Sequence, residues 1–305
     1  MPDTGDTTAY LAAAGHVEEL TRELGDIALR CGNLLIAPGP ARRVAWAANI
    51  WQAPQRIPIG SIGEGVRALR AMQRNWCLYS HAHHRRAQLL AKQLPHVSAK
   101  PLHFPQPAPT AALGSWTLLD PDTLLAAPHC ESPFPNGDVR FVEDRETPPN
   151  RAYLKLWEAL TRMGETPTAG QTCLDLGSSP GGWTWVAQST GARVISIDKA
   201  PLSPAVASLP SVEFRQESAF GVAPDSLPQI DWLLCDVACY PERLLRLLLD
   251  FIKSGRCRRI VATVKLQGRW EPQQTDAFWA IRGARLLHLA HNKHELTFLW
   301  RSPQL

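Results

Sequence analysis

A glycine-rich turn in the second half of the chain is the segment with the clearest capacity to bind a ligand. Residues 177–182 read Gly-Ser-Ser-Pro-Gly-Gly and lie between a strand-like and a helix-like segment. Glycines at such a point let the backbone approach a ligand without a Cβ atom in the way. Asp198 ends the next strand-like segment, about 20 residues further on, where a carboxylate can bind both hydroxyls of a ribose. The pattern predicts a site for a nucleoside-containing cofactor.

Three interpretations of this turn stay open from the residues alone. A dinucleotide site favours the spacing G-x-G-x-x-G, with a pyrophosphate at the helix N-terminus, and this turn lacks that spacing. A turn stiffened by proline and followed by Trp183 better suits a methionine-bearing nucleoside, S-adenosylmethionine. A turn that serves the fold alone is the third interpretation. We expect S-adenosylmethionine as the cofactor.

Strand-like and helix-like segments alternate around the turn and must position its residues. Strands are predicted over 172–176, 193–197, 212–215, 230–235, 259–264, 284–290 and 296–300. Helices are predicted over 151–162, over 183–189 and from residue 241. The alternation indicates βαβ crossovers and a mostly parallel, Rossmann-like α/β sheet. The short turn before the final strand makes the last two strands an antiparallel hairpin.

Several motifs of the second half resemble, in order, those of the FtsJ-like ribose 2′-O-methyltransferases. They are Ser132-Pro133-Phe134, Leu154-Lys155-Leu156, the run from Leu174 to Trp183, Asp231-Trp232 with Cys235-Asp236, Lys265-Leu266, and Glu295 in the terminal hairpin. Within that family the chain is most similar to enzymes that methylate a cytidine of large-subunit ribosomal RNA. The resemblance implies a methyltransferase domain over residues 131–305, which transfers a methyl group from S-adenosylmethionine to an RNA ribose.

The resemblance also implies a catalytic set of four charged residues, Lys155, Asp236, Lys265 and Glu295. Their places in the predicted elements favour the same set, because Asp236 and Lys265 each end a parallel strand and so face one cleft. A ribose hydroxyl is a poor nucleophile, so the enzyme must position its oxygen and accept its proton. We expect Lys265 to be the base or the orienting group, with the cation of Lys155 lowering its pKa. Asp236 and Glu295 would hold both ammonium groups, and no metal is expected.

Residues expected to contact the cofactor lie around the glycine turn and at three strand ends. They are Gly177, Ser179, Pro180, Gly181, Gly182, Trp183, Asp198, Glu217 and Asp236. Glu217 is included because it resembles an acidic residue that the family places near the adenine, although the family has Asp there. A departure precedes the first lysine of the catalytic set. The family has a hydroxyl side chain where this chain has Ala152, so one cofactor contact is in question.

The first 130 residues are expected to form a smaller α+β domain that binds RNA. Arginines recur at helical spacing at positions 67, 70 and 74, and they are followed by Trp76, Tyr79 and the run 81–86, which reads His-Ala-His-His-Arg-Arg. Such side chains together can bind phosphates and stack on bases, whereas a solvated helix face is the alternative. A second basic group, at positions 253, 256, 258 and 259, has the same two interpretations. The high density of proline over 95–149 predicts an extended connection with short strands at most.

Composition limits the remaining functions. The chain has 305 residues, a net charge of +4, 45% apolar and 20% charged residues, which is typical of a folded globular protein. Seven cysteines without a Cys-x-x-Cys pair predict free thiols in a reducing compartment, so we expect a cytoplasmic protein. The longest apolar stretch, 244–252, contains Arg246 and Asp250, and no membrane span is expected.

Two other functions stay open at this point. A non-catalytic RNA-binding or ribosome-assembly factor could keep the same fold, and Ala152 and the short N-terminal region favour that hypothesis. It predicts weak or absent binding of S-adenosylmethionine. The other is a methyltransferase with a different acceptor. A base-nitrogen acceptor usually goes with Asn-Pro-Pro-Tyr after the fourth strand, whereas this chain has Asp-Val-Ala-Cys at 236–239.

Overall fold

A computed structural model describes residues 7–303 of the chain. Contacts between Cα atoms divide it into two compact units. Unit 1 contains the described residues up to Leu102 together with Ala108–Arg140, and unit 2 contains His103–Pro107 together with the chain from Phe141 onward. This division falls after Arg140, whereas the sequence predicts a domain boundary after residue 130.

Unit 1 contains an antiparallel five-stranded sheet. Its strands are β1 (Thr7–Ala12), β2 (Leu29–Cys31), β3 (Leu34–Pro38), β4 (Ala47–Gln52) and β9 (His129–Cys130), and helix α1 (Val17–Leu24) follows β1. The strand order is β2-β3-β1-β4-β9. Ala9, Leu34 and Trp51 are buried in one core cluster, and their strand neighbours Tyr10, Leu35 and Ile50 are buried too, so both faces of the sheet are covered and the strands read as nearly continuous apolar runs.

A second, four-stranded sheet completes unit 1. Its strands are β5 (Gln55–Pro58), β6 (Trp76–Leu78), β7 (Gly114–Asp120) and β8 (Thr123–Ala127), accompanied by helices α2 (Ile62–Met72) and α3 (His84–Ala91). The strand order is β5-β8-β7-β6. Leu69 and Leu90 from the two helices pack with Trp116 and Leu124 from the sheet. Sheets with separate helices make this unit α+β, as the sequence predicts.

The expectation of an extended connection over the proline-rich zone is wrong for residues 114–127. Strands β7 and β8 pair there as a hairpin and form the centre of the second sheet. Prolines flank this segment at positions 109 and 128, and the one within it, Pro121, occupies the turn between the two strands. A proline in a hairpin turn leaves the hydrogen-bonding ladder intact, so the local proline count was a poor guide.

Unit 2 is built on a seven-stranded sheet. Its strands are β10 (Thr172–Leu176), β11 (Arg193–Asp198), β12 (Val212–Gln216), β13 (Ile230–Cys235), β14 (Cys257–Lys265), β15 (Arg285–Leu287) and β16 (Glu295–Arg301). The order is β12-β11-β10-β13-β14-β16-β15. The first five are parallel, and β16 lies antiparallel between β14 and β15. The predicted parallel α/β sheet with a terminal antiparallel hairpin is confirmed.

Helices connect these strands. They are α4 (Tyr153–Met163), α5 (Gly182–Ser189), α6 (Pro204–Ala207), α7 (Pro241–Ser254) and α8 (Gln273–Trp279). In α7 the buried residues Leu244, Leu248 and Phe251 share one face, which is the spacing of an amphipathic helix. Gly255 ends that helix with a φ of 66°, in the left-handed region that favours glycine. Within residues 7–303, no helix is long and apolar enough to cross a membrane.

The strand order places the ligand-binding edge of this sheet. After β10 the chain adds β11 and β12 on one side and then returns to place β13 on the other side. Parallel α/β sheets bind ligands outside the carboxyl ends of the strands at such a reversal. The glycine turn leaves β10 there, and Asp198, Asp236 and Lys265 lie at the carboxyl ends of β11, β13 and β14. We call this the carboxyl edge.

Candidate active site

Four charged residues meet at the carboxyl edge. The Lys155 ammonium, on α4, donates hydrogen bonds to Asp236 Oδ2 at 2.9 Å and to Glu295 Oε1 at 3.1 Å. Lys265 Nζ lies 3.2 Å from Asp236 Oδ1 and also donates to the Asp236 backbone carbonyl at 3.2 Å. Lys265 and Glu295 are register partners across β14 and β16. The structure therefore brings together all four residues of the expected catalytic set, and we call them the charged cluster.

Lys155 is the buried centre of the charged cluster. Its helix is apolar on both sides of it, with Leu154 and Leu156 fully buried, so the helix must pack deeply and carries Lys155 inward. Burial acts to lower the pKa of Lys155, but the charges and hydrogen bonds of Asp236 and Glu295 outweigh it, and the net pKa is raised. Lys155 is thus a fixed cation that holds two carboxylates in place.

Lys265 has a different environment. Its side chain is 32% exposed, whereas that of Lys155 is 11% exposed. It shares Asp236 with Lys155, and the positive charge of Lys155 is already balanced by two carboxylates. The sequence-based hypothesis gave Lys155 the task of lowering the pKa of Lys265, and this geometry weakens that reasoning. Lys265 is the member of the cluster best placed to meet a substrate group from solvent.

The glycine turn is closely packed from beneath. A Cβ atom on Gly177, whose φ is +77°, would lie 2.8 Å from Val237 Cγ2, and one on Gly181, whose φ is +116°, would lie 2.8 Å from Val206 Cγ1. A Cβ atom on Gly182 would lie 2.3 Å from Asn150 Oδ1. Gly177 and Gly181 therefore require glycine for the fold of the turn, whatever the turn binds, whereas the Asn150 side chain could move away from a Cβ atom on Gly182. The Ser179–Pro180 peptide bond within it is cis.

Asp198 fastens the turn to the end of β11. Its Oδ2 atom accepts a hydrogen bond from the Ser179 backbone N–H at 3.0 Å, and its Oδ1 atom accepts one from Ala200 N–H at 2.9 Å. The Ser179 hydroxyl donates to the Pro201 carbonyl at 2.8 Å. Each carboxylate oxygen has a second acceptor position, so Asp198 can also accept from a ribose hydroxyl. The ribose contact stays a prediction.

Trp183 and Glu217, two further expected cofactor contacts, have contrasting environments. Trp183 is buried, its indole N–H donates to the Ala152 carbonyl at 2.9 Å, and its ring lies 6.0 Å from the Lys155 ammonium. Trp183 thus links α5 to the start of α4. Glu217 is exposed and follows β12, the edge strand two positions from β10. A cofactor contact stays a prediction for both residues.

A buried polar group beneath the turn was missed at the sequence level. Asp175 Oδ2 accepts from the Thr184 hydroxyl at 2.6 Å, and that hydroxyl lies 2.7 Å from the Ser196 hydroxyl. Asp175 is 1% exposed, and burial, together with the charges of Asp236 and Asp198, raises its pKa to about 7 although the bond from Thr184 lowers it. An acidic residue one position before the end of an otherwise apolar strand was the available signal.

Two buried polar atoms beside the glycine turn have no hydrogen-bond partner, and they indicate whether S-adenosylmethionine fits the site. Among residues 7–303, Asp175 Oδ1 and the Ser178 hydroxyl are buried without a hydrogen-bond partner. Buried polar atoms usually have one, so these atoms await a ligand group or water. The cofactor carries a positive sulfonium and amino group, and Asp175, Asp198 and Asp236 all lie at this edge. The residues present fit that cofactor.

The second basic group is found at the opposite edge. Arg258 and Arg259 lie at the start of β14 and Arg256 just precedes it, so that Lys265 is about 20–30 Å away at ~3.3 Å per residue. Each arginine has a carboxylate: Arg256 lies 3.8 Å from Asp225, Arg258 lies 4.0 Å from Asp231, and Arg259 pairs with Glu165. We call this the amino edge. Its three arginines are paired in the fold, which favours the structural interpretation for them, while phosphate binding by Lys253 stays a prediction.

The structure of unit 1 corrects one expectation about residues 67–86, the segment that is rich in arginine and histidine. Trp76 is 5% exposed in the core, and its indole N–H donates to the Leu69 carbonyl, so the expectation that Trp76 stacks on bases is wrong. The Tyr79 hydroxyl accepts from Asn33 N–H at 2.8 Å, and its ring stacks on His81. Arginines 67, 70 and 74 are exposed, as are residues 83–85. Phosphate binding by these exposed side chains stays a prediction.

Comparison with known proteins identifies the class of the second unit. Residues 148–277 match the sequence model of the family described as FtsJ-like methyltransferase. That segment contains α4, the glycine turn, Asp236 and Lys265. The resemblance stated from the motifs is confirmed, and this part of the chain has the FtsJ-like methyltransferase fold.

Several curated relatives to which this chain is similar carry a common name. A Halorhodospira halophila protein named "Ribosomal RNA large subunit methyltransferase M" is 38% identical over 173 residues, which cover 54% of this chain and 50% of that protein. Proteins of the same name from Aromatoleum aromaticum (32% identical, 59% of this chain, 54% of theirs) and Alkalilimnicola ehrlichii (33% identical, 55% and 50%) are also similar. The chain spans about half the length of the relatives it matches.

Proposed function

We propose that the protein is an S-adenosylmethionine-dependent methyltransferase that methylates the 2′-oxygen of a ribose in RNA, and that its substrate is large-subunit ribosomal RNA. The observation that carries the proposal is the charged cluster, in which residues up to 140 positions apart meet beside the glycine turn. The FtsJ-like match and the names of the relatives support the same reaction and substrate class. Free thiols at all seven cysteines fit the cytoplasm as the compartment.

The charged cluster provides what this reaction needs from a protein. S-adenosylmethionine, when bound, supplies a methyl group on a positive sulfur that is already a strong electrophile. The protein must then bring the ribose hydroxyl into line and manage its proton. Lys265 Nζ would then either orient the ribose 2′-hydroxyl toward the methyl carbon or, as the neutral amine, take up the hydroxyl proton and release it to solvent.

Each member of the cluster has a distinct task in this proposal. Lys265 contacts the hydroxyl, because it is the more exposed lysine. Asp236 holds Lys265 on one oxygen and Lys155 on the other. Glu295 forms the second ion pair of Lys155. Together the two ion pairs hold both carboxylates in fixed orientations. Asp198, Ser178 and Asp175 form the cofactor side of the site, on the glycine turn and beneath it.

The direct test is to map ribose methylation in total RNA from a strain that lacks the gene and from its parent. We expect one 2′-O-methyl mark to be absent from large-subunit ribosomal RNA in the deletion strain and restored by the wild-type gene. A gene with Lys265→Ala should fail to restore it. Unchanged ribose methylation in the deletion strain would overturn the proposal. Calorimetric titration with S-adenosylmethionine tests the cofactor separately, and absent binding would favour the non-catalytic RNA-binding factor.

A second variant separates the two tasks open to Lys265. Arginine keeps a positive hydrogen-bond donor but cannot act as a base near neutral pH. If Lys265 orients the hydroxyl, Lys265→Arg should retain part of the methyl transfer rate. If Lys265 removes the proton, Lys265→Arg should be as inactive as Lys265→Ala.

A further inference from the structure

The loop 237–240 runs from the glycine turn to the surface of unit 2. Val237 packs against Gly177 at its inner end, so that a Cβ atom on Gly177 would lie 3.0 Å from Val237 Cα. Tyr240 lies at its outer end and precedes α7. Asp236 of the charged cluster is only four residues from Tyr240, which limits their Cα separation to about 14 Å. A group at the outer end of this loop is therefore within a nucleotide or two of the reacting ribose.

Tyr240 is exposed to an unusual degree. Its exposed fraction is 62%, and it is the one Phe, Tyr or Trp residue within 7–303 whose side chain is classed as exposed. Its backbone carbonyl accepts from Arg243 and Leu244 at the start of α7, which fixes the position of the residue. An aromatic ring held in solvent by a rigid backbone has no role in the core. Such a ring is a preformed surface on which a base can stack.

Arg243 lies beside Tyr240 on the first turn of α7. Its guanidinium lies 3.7 Å from the centre of the Phe220 ring, which orients it. Within residues 7–303, no carboxylate forms an ion pair with Arg243, in contrast to the arginines of the amino edge. Burial raises the pKa of the Cys239 thiol, while the positive charges of Arg243 and Lys265 act in the opposite direction. Both cations are thus close to Cys239.

We propose that Tyr240 and Arg243 form a docking platform for single-stranded RNA next to the ribose that is methylated, with the Tyr240 ring stacking on a nucleobase and the Arg243 guanidinium binding a phosphate. The inference rests on the proposed function, since it concerns the substrate of the same site. It gives Tyr240 and Arg243 a role in substrate binding, not in the chemical step. A flat ring and a planar guanidinium on one helix start match the alternating bases and phosphates of an unpaired strand.

Steady-state methyl transfer to unmodified large-subunit ribosomal RNA, transcribed in vitro, tests the ring. We expect Tyr240→Ala to raise the KM for RNA roughly ten-fold, the size of effect seen when one base–aromatic stack is lost, with little change in kcat. Tyr240→Phe should behave like the wild type because the ring is kept. Val142→Ala removes another exposed apolar side chain of unit 2 and is the matched control. A KM for Tyr240→Ala equal to that of Val142→Ala would overturn the role of the ring.

The salt dependence of RNA binding tests the guanidinium. One phosphate contact to a single strand contributes about 0.7 to the slope of log Kd against log salt concentration. Arg243→Ala should lower that slope by about this amount, whereas Arg246→Ala, one turn further along the exposed face of α7, should not. An unchanged slope for Arg243→Ala would overturn the phosphate contact. A wild-type protein that transfers no methyl group to RNA would instead overturn the proposed function, and the inference with it.

Discussion

The two edges of the seven-stranded sheet use the same kinds of charged residue in different ways. At the amino edge Arg256 and Arg258 each have a separate carboxylate and are well exposed, whereas Arg259 and Arg301 share Glu165. At the carboxyl edge Lys155 is shared by two carboxylates, Asp236 is shared by two lysines, and the side chains are largely buried. Separate exposed pairs stabilise a fold only slightly, whereas a buried shared network is costly to assemble. The comparison favours the carboxyl edge as the functional edge.

Replacement of Lys265 tests whether the carboxyl edge is the functional edge, and it should give the largest of the expected effects. We expect Lys265→Ala to lower the rate of methyl transfer about 10²- to 10⁴-fold, the contribution of a positioned acid–base group. The affinity for S-adenosylmethionine should be nearly unchanged, because Lys265 contacts Asp236 and not the glycine turn. Single-turnover transfer and calorimetry measure the two quantities. Wild-type transfer by Lys265→Ala would mean that the cluster is structural.

Removal of Lys155 tests whether the carboxyl edge is a coupled network. Lys155→Met leaves Asp236 and Glu295 without their shared cation, and we expect it to lower the free energy of unfolding by about 3–5 kcal/mol. Denaturant unfolding of the full chain measures this change. The triple variant Lys155→Met, Asp236→Asn, Glu295→Gln should recover much of the loss, because no buried charge is left uncompensated. A loss below about 1 kcal/mol would make this cluster equivalent to a surface pair.

The pH dependence of the free energy of unfolding tests a different buried charge of the carboxyl edge. Asp175 is a buried acid for which the structure shows no ion pair within residues 7–303. Its folded-state pKa of about 7 lies above the unfolded value near 4, so folding favours the protonated form. The resulting stabilisation is complete below about pH 4 and is lost as the pH rises through about 7. Asp175→Asn keeps an acceptor for Thr184 but does not ionise. Relative to wild type, it should gain about 2 kcal/mol between pH 5 and pH 8.

Thermal unfolding of both proteins across that pH range measures this difference. Subtracting the wild-type profile from that of Asp175→Asn removes the contributions of the other titrating groups. A difference between the two proteins that does not change with pH would show that Asp175 ionises in the fold as easily as in the unfolded chain.

A change at the amino edge should give the smallest effect. Arg258→Ala breaks a 4.0 Å ion pair with Asp231 in which the arginine side chain is 52% exposed. We expect the free energy of unfolding to fall by less than about 1 kcal/mol, and the methyl transfer rate to stay at the wild-type level. A strong loss of RNA binding in this variant would restore the phosphate-binding interpretation of the amino edge and remove the contrast between the edges.

The sequence predicted the residues of the carboxyl edge well, because the ends of apolar strands can be recognised from the sequence. Asp236 and Lys265 follow apolar β-type runs, and in a parallel sheet the carboxyl ends of neighbouring strands share an edge. Lys155 was reached mainly through the family resemblance, because a lysine on a helix looks the same whether it is buried or exposed. Its burial comes from the packing of α4, which depends on the rest of the unit.

Other features could not be read from local sequence. The hydrogen bonds joining Asp175, Thr184 and Ser196 connect two strands and a helix, so no short window shows them. Trp76 follows the exposed Arg74 by two residues in the sequence, but it begins strand β6 and packs in the core of unit 1. The hairpin of β7 and β8 was hidden by prolines that turned out to flank its strands or occupy the turn between them.

The position of β16 has a consequence for the order in which the site can form. This strand follows β15 in the chain but lies between β14 and β15, so β15 has no partner in the sheet until β16 arrives. Glu295 arrives with it, and Lys155 lacks its second carboxylate until then. During synthesis, the ribosome must add 140 further residues after Lys155 before the site is complete. A nascent chain therefore has its glycine turn long before the charged cluster is complete, and under the proposed function methyl transfer would wait until β16 joins the sheet.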